Sequence, residues 1–342
     1  MNIHITNPLS DPRWEDLVAS HPHASAFHQR GWLEALSRTY GYQPLVLTSA
    51  PPGKPFSDGV VFCRVSSWIT GTRLVSLPFA DHCEPLLNDP SDLTEFMNWL
   101  RAERECQHWR YVEVRPLSPI GHDWHASRSY CFHELDLTHG LEQIFKELHK
   151  DSIQRRIQRA EREGLSYEVG RSEQLVSEFY RLLLITRRRH HLLPQPRTWF
   201  KNLVECMGDS VQIRLARKND IPIAAMLTLR HRSSVIYKYG CSDEKVHNLG
   251  AMPFLFWRLI EESRASGAER IDFGRSDLDQ NSLINFKDKF GTTKKVLKYY
   301  RYPEEKEAAT TRWDGRAIRQ FFSVLPDSIA STAGRIVYRH MG

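Results

Sequence analysis

The 342-residue chain has no CxxC pair; its six cysteines, Cys63, Cys83, Cys106, Cys131, Cys206 and Cys241, stand singly. That argues against a zinc ribbon and a thioredoxin-type redox site. Scattered thiols fit a reducing compartment, where they serve as small hydrophobes. No apolar run approaches the roughly eighteen residues that a membrane-spanning helix needs. The start, MNIHITNPLSDPRW, lacks the basic-then-apolar order of a signal peptide. The expectation is a cytoplasmic protein. GxGxxG, GxxxxGK[ST], HExxH and GxSxG are all missing, which argues against Rossmann dinucleotide enzymes, P-loop NTPases, zincins and α/β-hydrolases. Asp81, His82 and Glu84 lie close together in the sequence but lack a further ligand at a familiar spacing, so no metal is expected.

What is present suits a folded protein of about two domains. Hydrophobic residues are 41% and charged residues 26%, and sixteen Phe, twelve Tyr and nine Trp supply ample apolar area for a core. Lys and Arg exceed Asp and Glu by 47 to 41. This modest excess suits phosphate, nucleotide, RNA or a membrane surface without choosing among them.

Periodicity predicts a faint internal repeat. In the second half a helix ends at Trp199–Met207. Three antiparallel strands follow: one carrying Val211, Ile213 and Leu215, then Ile223–Arg230 and Ser234–Tyr239. A helix over Pro253–Ser266 and a strand Arg270–Phe273 complete the unit. In the first half a helix Phe27–Tyr40 precedes strands Leu45–Thr48, Gly59–Val65 and Leu74–Leu77, a helix Leu93–Glu105 and a strand Tyr111–Arg115. Trp32 and Trp199 are 167 positions apart, and Arg115 and Arg275 are 160 apart. The fold expected is α/β (α+β), with two tandem units, each a mostly antiparallel mixed sheet flanked by helices. The divisions are 1–140, 141–303 and a basic helical tail, 304–342. Leu141–Arg162 reads as one charged helix, and Gln174–His191 as another.

Four segments carry chemistry. Ile271–Pro303 puts Asp272, Gly274, Arg275 and Ser276 at a strand's C-terminal edge, where ligands gather in open α/β sheets. Six basic residues and one acid follow between Asn285 and Arg301, suited to a phosphate or an oxyanion; a solvated charged face is the alternative. HNLGAMP, His247–Pro253, lies between a strand and a helix, where backbone N–H groups can face an anion; an ordinary helix start fits equally. SLPFADHCEPLLND, Ser76–Asp89, offers Asp81, His82 or Glu84 as a general base, or forms a structural loop. TRRRHHLLPQPR, Thr186–Arg197, carries Arg187, Arg188, Arg189 and Arg197 without an acid, suited to phosphate or RNA or to the helix dipole.

Five segments in order resemble the FemAB-like branch of the GNAT superfamily. That branch includes the Fem aminoacyltransferases of peptidoglycan bridges and related acyltransferases of exopolysaccharide clusters. They are FHQRGW (Phe27–Trp32), SLPF (Ser76–Phe79), YKYG (Tyr237–Gly240), DFGRS (Asp272–Ser276) and NFKDKFG (Asn285–Gly291), and the likeness spans roughly residues 15–303. It implies two GNAT-like units with a ligand cleft between them. It also implies transfer of an acyl or aminoacyl group to an amine of a cell-envelope or polysaccharide precursor, forming an amide. The lysine after phenylalanine that stabilises the tetrahedral oxyanion in this family looks like Lys287, after Phe286. Tyr239 and Asp272 are expected to orient groups in the cleft. Arg275, Lys289, Lys238 and Phe286 are expected to bind substrate, and Asp81 or His82 to take the amine proton. Asn248, Gly250 and Ala251 would face the donor. No tightly bound cofactor is implied; acyl-CoA or aminoacyl-tRNA is the co-substrate, with tRNA a partner in the second case, and DNA is not expected. The chain has no room between Ile221 and Gly274 for the helical hairpin of the peptidoglycan-bridge enzymes, and its HNLGAM loop is degenerate, so the donor stays open.

A non-catalytic module for RNA or a phosphorylated glycan precursor is the alternative, motivated by Arg187–Arg189 and the basic Asn285–Arg301 stretch. The tail, with Arg312, Arg316, Arg319, Arg335 and Arg339 and the apolar Ile318, Phe321 and Phe322, is expected to dock back on the protein or to lie on an anionic membrane.

Overall fold

The computed structural model describes residues 2–120, 124–304 and 327–342. Ile318, Phe321 and Phe322 lie outside these residues. The strands are β1 (His4–Thr6), β2 (Gln43–Thr48), β3 (Val60–Val65), β4 (Arg73–Val75), β5 (Val112–Val114), β6 (Ala126–Asp136), β7 (Ser166–Gly170), β8 (Val211–Lys218), β9 (Ile221–His231), β10 (Ser234–Ser242), β11 (Arg270–Asp277) and β12 (Thr293–Tyr302). They form one twelve-stranded, mostly antiparallel sheet in the order β1-β2-β3-β4-β5-β12-β6-β11-β10-β9-β8-β7.

Two parallel contacts, β4 with β5 and β10 with β11, recur at matching places in the two halves. The division at residue 140 follows chain order, but two strands cross it. β6 leaves the first half to pair with β11, and β12 leaves the second half to pair with β5. β6 and β12 then pair with each other along most of their length. Periodicity assigned neither strand. β6 is buried on both faces over Tyr130–His133 and so lacks a clean alternation, while the lysines of β12 read as a basic surface stretch.

Helices Arg30–Tyr40 and Arg197–Met207 cross at the centre of a core shared by both halves. Gly31 allows the crossing: a Cβ there would lie 2.4 Å from the Cys206 carbonyl oxygen. Trp32 and Trp199, the repeat's matched aromatics, meet edge to face at 5.2 Å.

The single helix expected over Leu141–Arg162 is instead broken. Helix Leu141–Glu147 ends at Leu148 and His149, whose ψ angles of 138° and 121° are extended, before a wide turn Lys150–Gln154 and helix Arg155–Arg162. Local hydrogen bonds outcompete helix continuity there. The His149 ring accepts the Ser152 N–H, and the Gln154 amide donates to the carbonyls of Phe145 and Leu148. The break lets the His149 N–H reach the Lys289 carbonyl, fixing the end of helix Asn281–Asp288.

The C-terminal helix Asp327–Met341 docks back on the protein: the Tyr42 hydroxyl donates to the Tyr338 carbonyl at 2.6 Å, and the Tyr338 hydroxyl donates to Leu193 O at 3.0 Å. No helix among the described residues is long and apolar enough to cross a membrane.

Candidate active site

β10 and β11 pair over only three residues each, Ser234–Ile236 against Arg270–Asp272. Beyond them β10 slips register on β9 at Lys238, and β11 slips on β6 between Asp272 and Arg275. Neighbouring strands that bulge and part leave a wedge between them. Gly274 lies in the β11 bulge with φ +70°, and a Cβ there would stand 3.1 Å from Asp81 Oδ2. Glycine is what admits the Asp81 carboxylate to the wedge.

Asp81 arrives from the first half on the loop Ser76–His82. Leu77 and Phe79 hold positive φ in that loop, +59° and +62°, a costly state for side chains of their size. The surroundings enforce it. Arg115 donates to the carbonyls of Leu77 and Ala80 at 2.9 and 3.3 Å, and the Tyr299 hydroxyl donates to the Asp81 carbonyl at 2.6 Å. Phe27 packs its ring against His82 at 5.5 Å, and His28 Nε2 donates to the Glu84 carbonyl. The FHQRGW segment thus buttresses this loop.

In the wedge six side chains converge from distant parts of the chain. Lys238 Nζ donates to Asp81 Oδ2 at 2.9 Å, and Arg275 Nε lies 3.6 Å from Asp81 Oδ1. His82 Nε2 pairs with Asp272 Oδ2 at 2.8 Å, leaving His82 Nδ1 buried without a hydrogen-bond partner. Asp272 Oδ1 accepts the Gly274 N–H. Lys287, 3% exposed, donates to the carbonyls of Gly274 and Arg275 at 2.9 and 3.2 Å. The Arg275 guanidinium lies over the Tyr130 ring at 3.9 Å, and its Nη1 is buried without a partner.

Burial lowers the Lys287 ammonium to about 8, against the opposing pull of the Asp81 and Asp272 carboxylates. Burial alone would raise the Asp81 carboxyl, but the charges of Lys238 and Arg275 outweigh it and hold the group below the usual carboxylate range. The cluster therefore keeps a fixed anion beside a lysine whose charge is lost in mildly basic solution.

Against β10 a cavity of about 320 Å³ opens at the start of helix Ala251–Ala265, lined by Arg156, Arg189, His190, His247, Ala251 and Phe286 among others. Arg189 reaches both His190 and His247. The HNLGAM loop and the end of the TRRRHH run thus meet around one space, beside a helix N-terminus.

Asp81, His82, Lys238, Asp272, Arg275 and Lys287 are brought together. Phe286 and Ala251 line the adjoining cavity. Other expected residues lie outside the cluster, although the Tyr239 ring stands 5.7 Å from Lys238 Nζ. The Tyr239 hydroxyl accepts the Trp199 indole N–H at 3.0 Å inside the aromatic core. Lys289 closes its helix with no hydrogen bond or ion pair to the cluster. Asn248 is exposed. Gly250 has a packing reason: a Cβ would lie 2.3 Å from the Arg156 carbonyl oxygen. The basic Asn285–Arg301 stretch is divided, with Lys287 in the wedge, Arg301 paired to buried Glu113, and Lys294, Lys295 and Lys298 exposed on β12. Tyr130 and Tyr299 were missed because their strands were unassigned, although Leu297 and Tyr299 keep the strand period of two.

A family model for the acetyltransferase (GNAT) domain matches residues 149–287, which include β7 through β11, the wedge and Lys287. A search of curated proteins gave no match. The fold is similar to the crystal structure of FemX, at 13% identity and TM-score 0.68 over 88% of this chain and 97% of that one. It is similar to the C-terminal domain of a putative lysylphosphatidylglycerol synthetase from Agrobacterium fabrum, at 15% identity and TM-score 0.56 over 84% and 90%. It also resembles a tandem GNAT protein from the clavulanic acid biosynthesis pathway, at 12% identity and TM-score 0.53 over 88% and 98%. A GNAT domain thus occupies the second half of the chain, and the fold as a whole is similar to that of FemX and of the tandem GNAT protein.

Proposed function

We propose that the protein transfers an acyl or aminoacyl group from a phosphate-bearing donor, acyl-CoA or aminoacyl-tRNA, to an amine of a cell-envelope or polysaccharide precursor. The observation that carries this reading is Lys287, a buried cation aimed into the strand wedge, whose chain neighbour Phe286 lines a cavity of about 320 Å³ that also holds Arg156 and Arg189. The acceptor nitrogen attacks the donor carbonyl, forming a C–N bond, and the oxyanion develops against the Lys287 ammonium. Such charge exists only in the transition state, so a cation placed there accelerates the step rather than merely binding substrate. The C–S or C–O bond to the donor then breaks, and the amine proton taken up in the attack passes to the departing sulfur or oxygen, releasing the thiol or the tRNA hydroxyl. His82 is the base: Asp272 orients it through Nε2, and Nδ1 is the atom left to take the amine proton. Arg275, with Nη1 unpartnered, holds an anionic group of the acceptor. Arg156 and Arg189 meet the donor phosphates.

The test is a panel of radiolabelled acyl-CoAs and charged tRNAs, each incubated with amine acceptors including UDP-MurNAc-pentapeptide, with amide product as the readout. Amide formation that disappears in Lys287→Ala supports the reading. Transfer that proceeds undiminished in that variant overturns it.

A further inference from the structure

Away from the wedge, the loop between β3 and β4 holds Trp68 at 88% exposure and Ile69 at 49%. The loop is not a loose tip. The Ser67 hydroxyl accepts the N–H groups of Ile69 and Thr70, and buried Arg73 donates to the Thr70 hydroxyl at 2.6 Å. A large indole is thus kept in water by a rigid turn, which is unfavourable unless something covers it.

The last turn of the C-terminal helix packs beside this loop. Arg73 donates to the carbonyls of His340 and Gly342 at 2.7 and 2.8 Å, Ser67 and His340 are hydrogen-bonded, and Trp68 meets the His340 ring edge to face at 5.9 Å. Gly334 packs inward against the Pro194 carbonyl, and Tyr338 packs inward against Phe79. Arg335, Ile336 and Arg339 therefore face outward, Ile336 at 57% exposure, and Met341 at the helix end is 59% exposed. Residues 66–72 and 332–342 contain no Asp or Glu.

An indole and aliphatic side chains set among arginines, with no acidic side chain in these segments, match a particular surface. Trp settles at the headgroup level of a bilayer, aliphatic tips enter the acyl boundary, and guanidinium groups meet lipid phosphates. We propose that this face, Trp68 and Ile69 from the first half with Arg335, Ile336, Arg339 and Met341 from the C-terminal helix, docks the protein on an anionic lipid bilayer. The helix uses its inward face to hold the protein and offers its outward face to the lipid. A protein groove would be expected to pair the arginines with acids, and a second copy would set arginine against arginine across a twofold interface.

The test is co-sedimentation of the full chain with vesicles of phosphatidylcholine, with and without phosphatidylglycerol. Binding is expected with phosphatidylglycerol and is expected to weaken as salt is raised. Trp68→Ala should weaken it by about tenfold or more, and Arg335→Ala and Arg339→Ala by about fivefold each. Trp68→Phe should restore most of the loss. Brominated lipid should quench the wild type more than Trp68→Phe, which isolates one indole among nine. Because these side chains lie outside the core, an unchanged melting midpoint is expected to accompany each loss. No binding to the anionic vesicles overturns the proposal, as does binding equal in wild type and variants. A lipid-independent dimer abolished by Trp68→Ala also overturns it, in favour of a second copy.

Discussion

The two parallel strand pairs are the same device in two states. In the first half, β4 and β5 stay closed beyond their pairing: the Ser76 N–H donates to the Glu113 carbonyl at 2.8 Å, and the Arg115 N–H donates to the Ser76 hydroxyl at 2.8 Å. Glu113, buried at the join, is gripped by Arg115 and Arg301 at 2.7 Å each. In the second half, β10 and β11 bulge and part at the matching place. Asp272 stands where Glu113 stands, Arg275 where Arg115 stands, and the two arginines face one tyrosine ring, Tyr299, at 5.1 and 4.8 Å. One pair spends its buried charges on holding a strained loop. The other receives that loop and keeps its charges around an open wedge. Of two copies of one arrangement, one is closed by its charges and the other is left open around them.

That contrast can be broken at its strongest point first. Lys287→Ala should lower kcat by about 10²–10³-fold, the scale of losing one oxyanion donor, while the protein still unfolds cooperatively. Glu113→Gln should do the reverse. It leaves two buried guanidiniums without their anion and should lower stability by about 3 kcal/mol, with turnover per folded molecule preserved; denaturant titration beside kinetics checks both. Burial alone would raise the Glu113 carboxyl, but Arg115 and Arg301 hold it down at about 2. Its contribution is therefore full above the ordinary glutamate pKa near 4.5 and is lost as pH falls towards about 2; in Glu113→Gln that acid limb should flatten.

Gly274→Ala comes next, placing a side chain at φ +70° and against Asp81. A loss of about 1–3 kcal/mol is expected, with turnover falling alongside, and unchanged kinetics would show that Asp81's place in the wedge is immaterial. The smallest effect is on the pH profile. Activity that needs the Lys287 ammonium should decline through a basic limb near pH 8, and Lys287→Arg should abolish that limb, since a guanidinium keeps its charge. The folded state bears the buried charge below about pH 8 and is relieved of it as pH rises towards the ordinary lysine value near 10.5. The stability gap between wild type and Lys287→Met should therefore change across that window.

Much of this contrast was legible in the sequence because it rests on local pattern. Val211, Ile213 and Leu215 announce a strand, Gly267 a helix stop, and Trp32 with Trp199 a repeat whose members prove to touch. Asp81, His82, Asp272, Arg275 and Lys287 were also found, since each stands at the end of a readable strand or beside a distinctive aromatic. What escaped depends on non-local pairing. Tyr239 faces the core because a bulge at Lys238 shifts the alternation, and no single-strand pattern shows a bulge. Tyr130 and Tyr299 belong to strands whose partners lie far away in sequence, so neither their faces nor their neighbours could be inferred from spacing.

The exchange of β6 and β12 also bears on how the chain is made. The edge of β5 at Val112–Val114 finds its partner only when Tyr300–Tyr302 have left the ribosome. Until then the first half carries an open strand edge, a template for pairing with the wrong chain. Expression of either half alone should yield aggregate, and slowing translation should prolong that exposure rather than help the first half to mature. The two halves can be born in sequence, but they can only finish together.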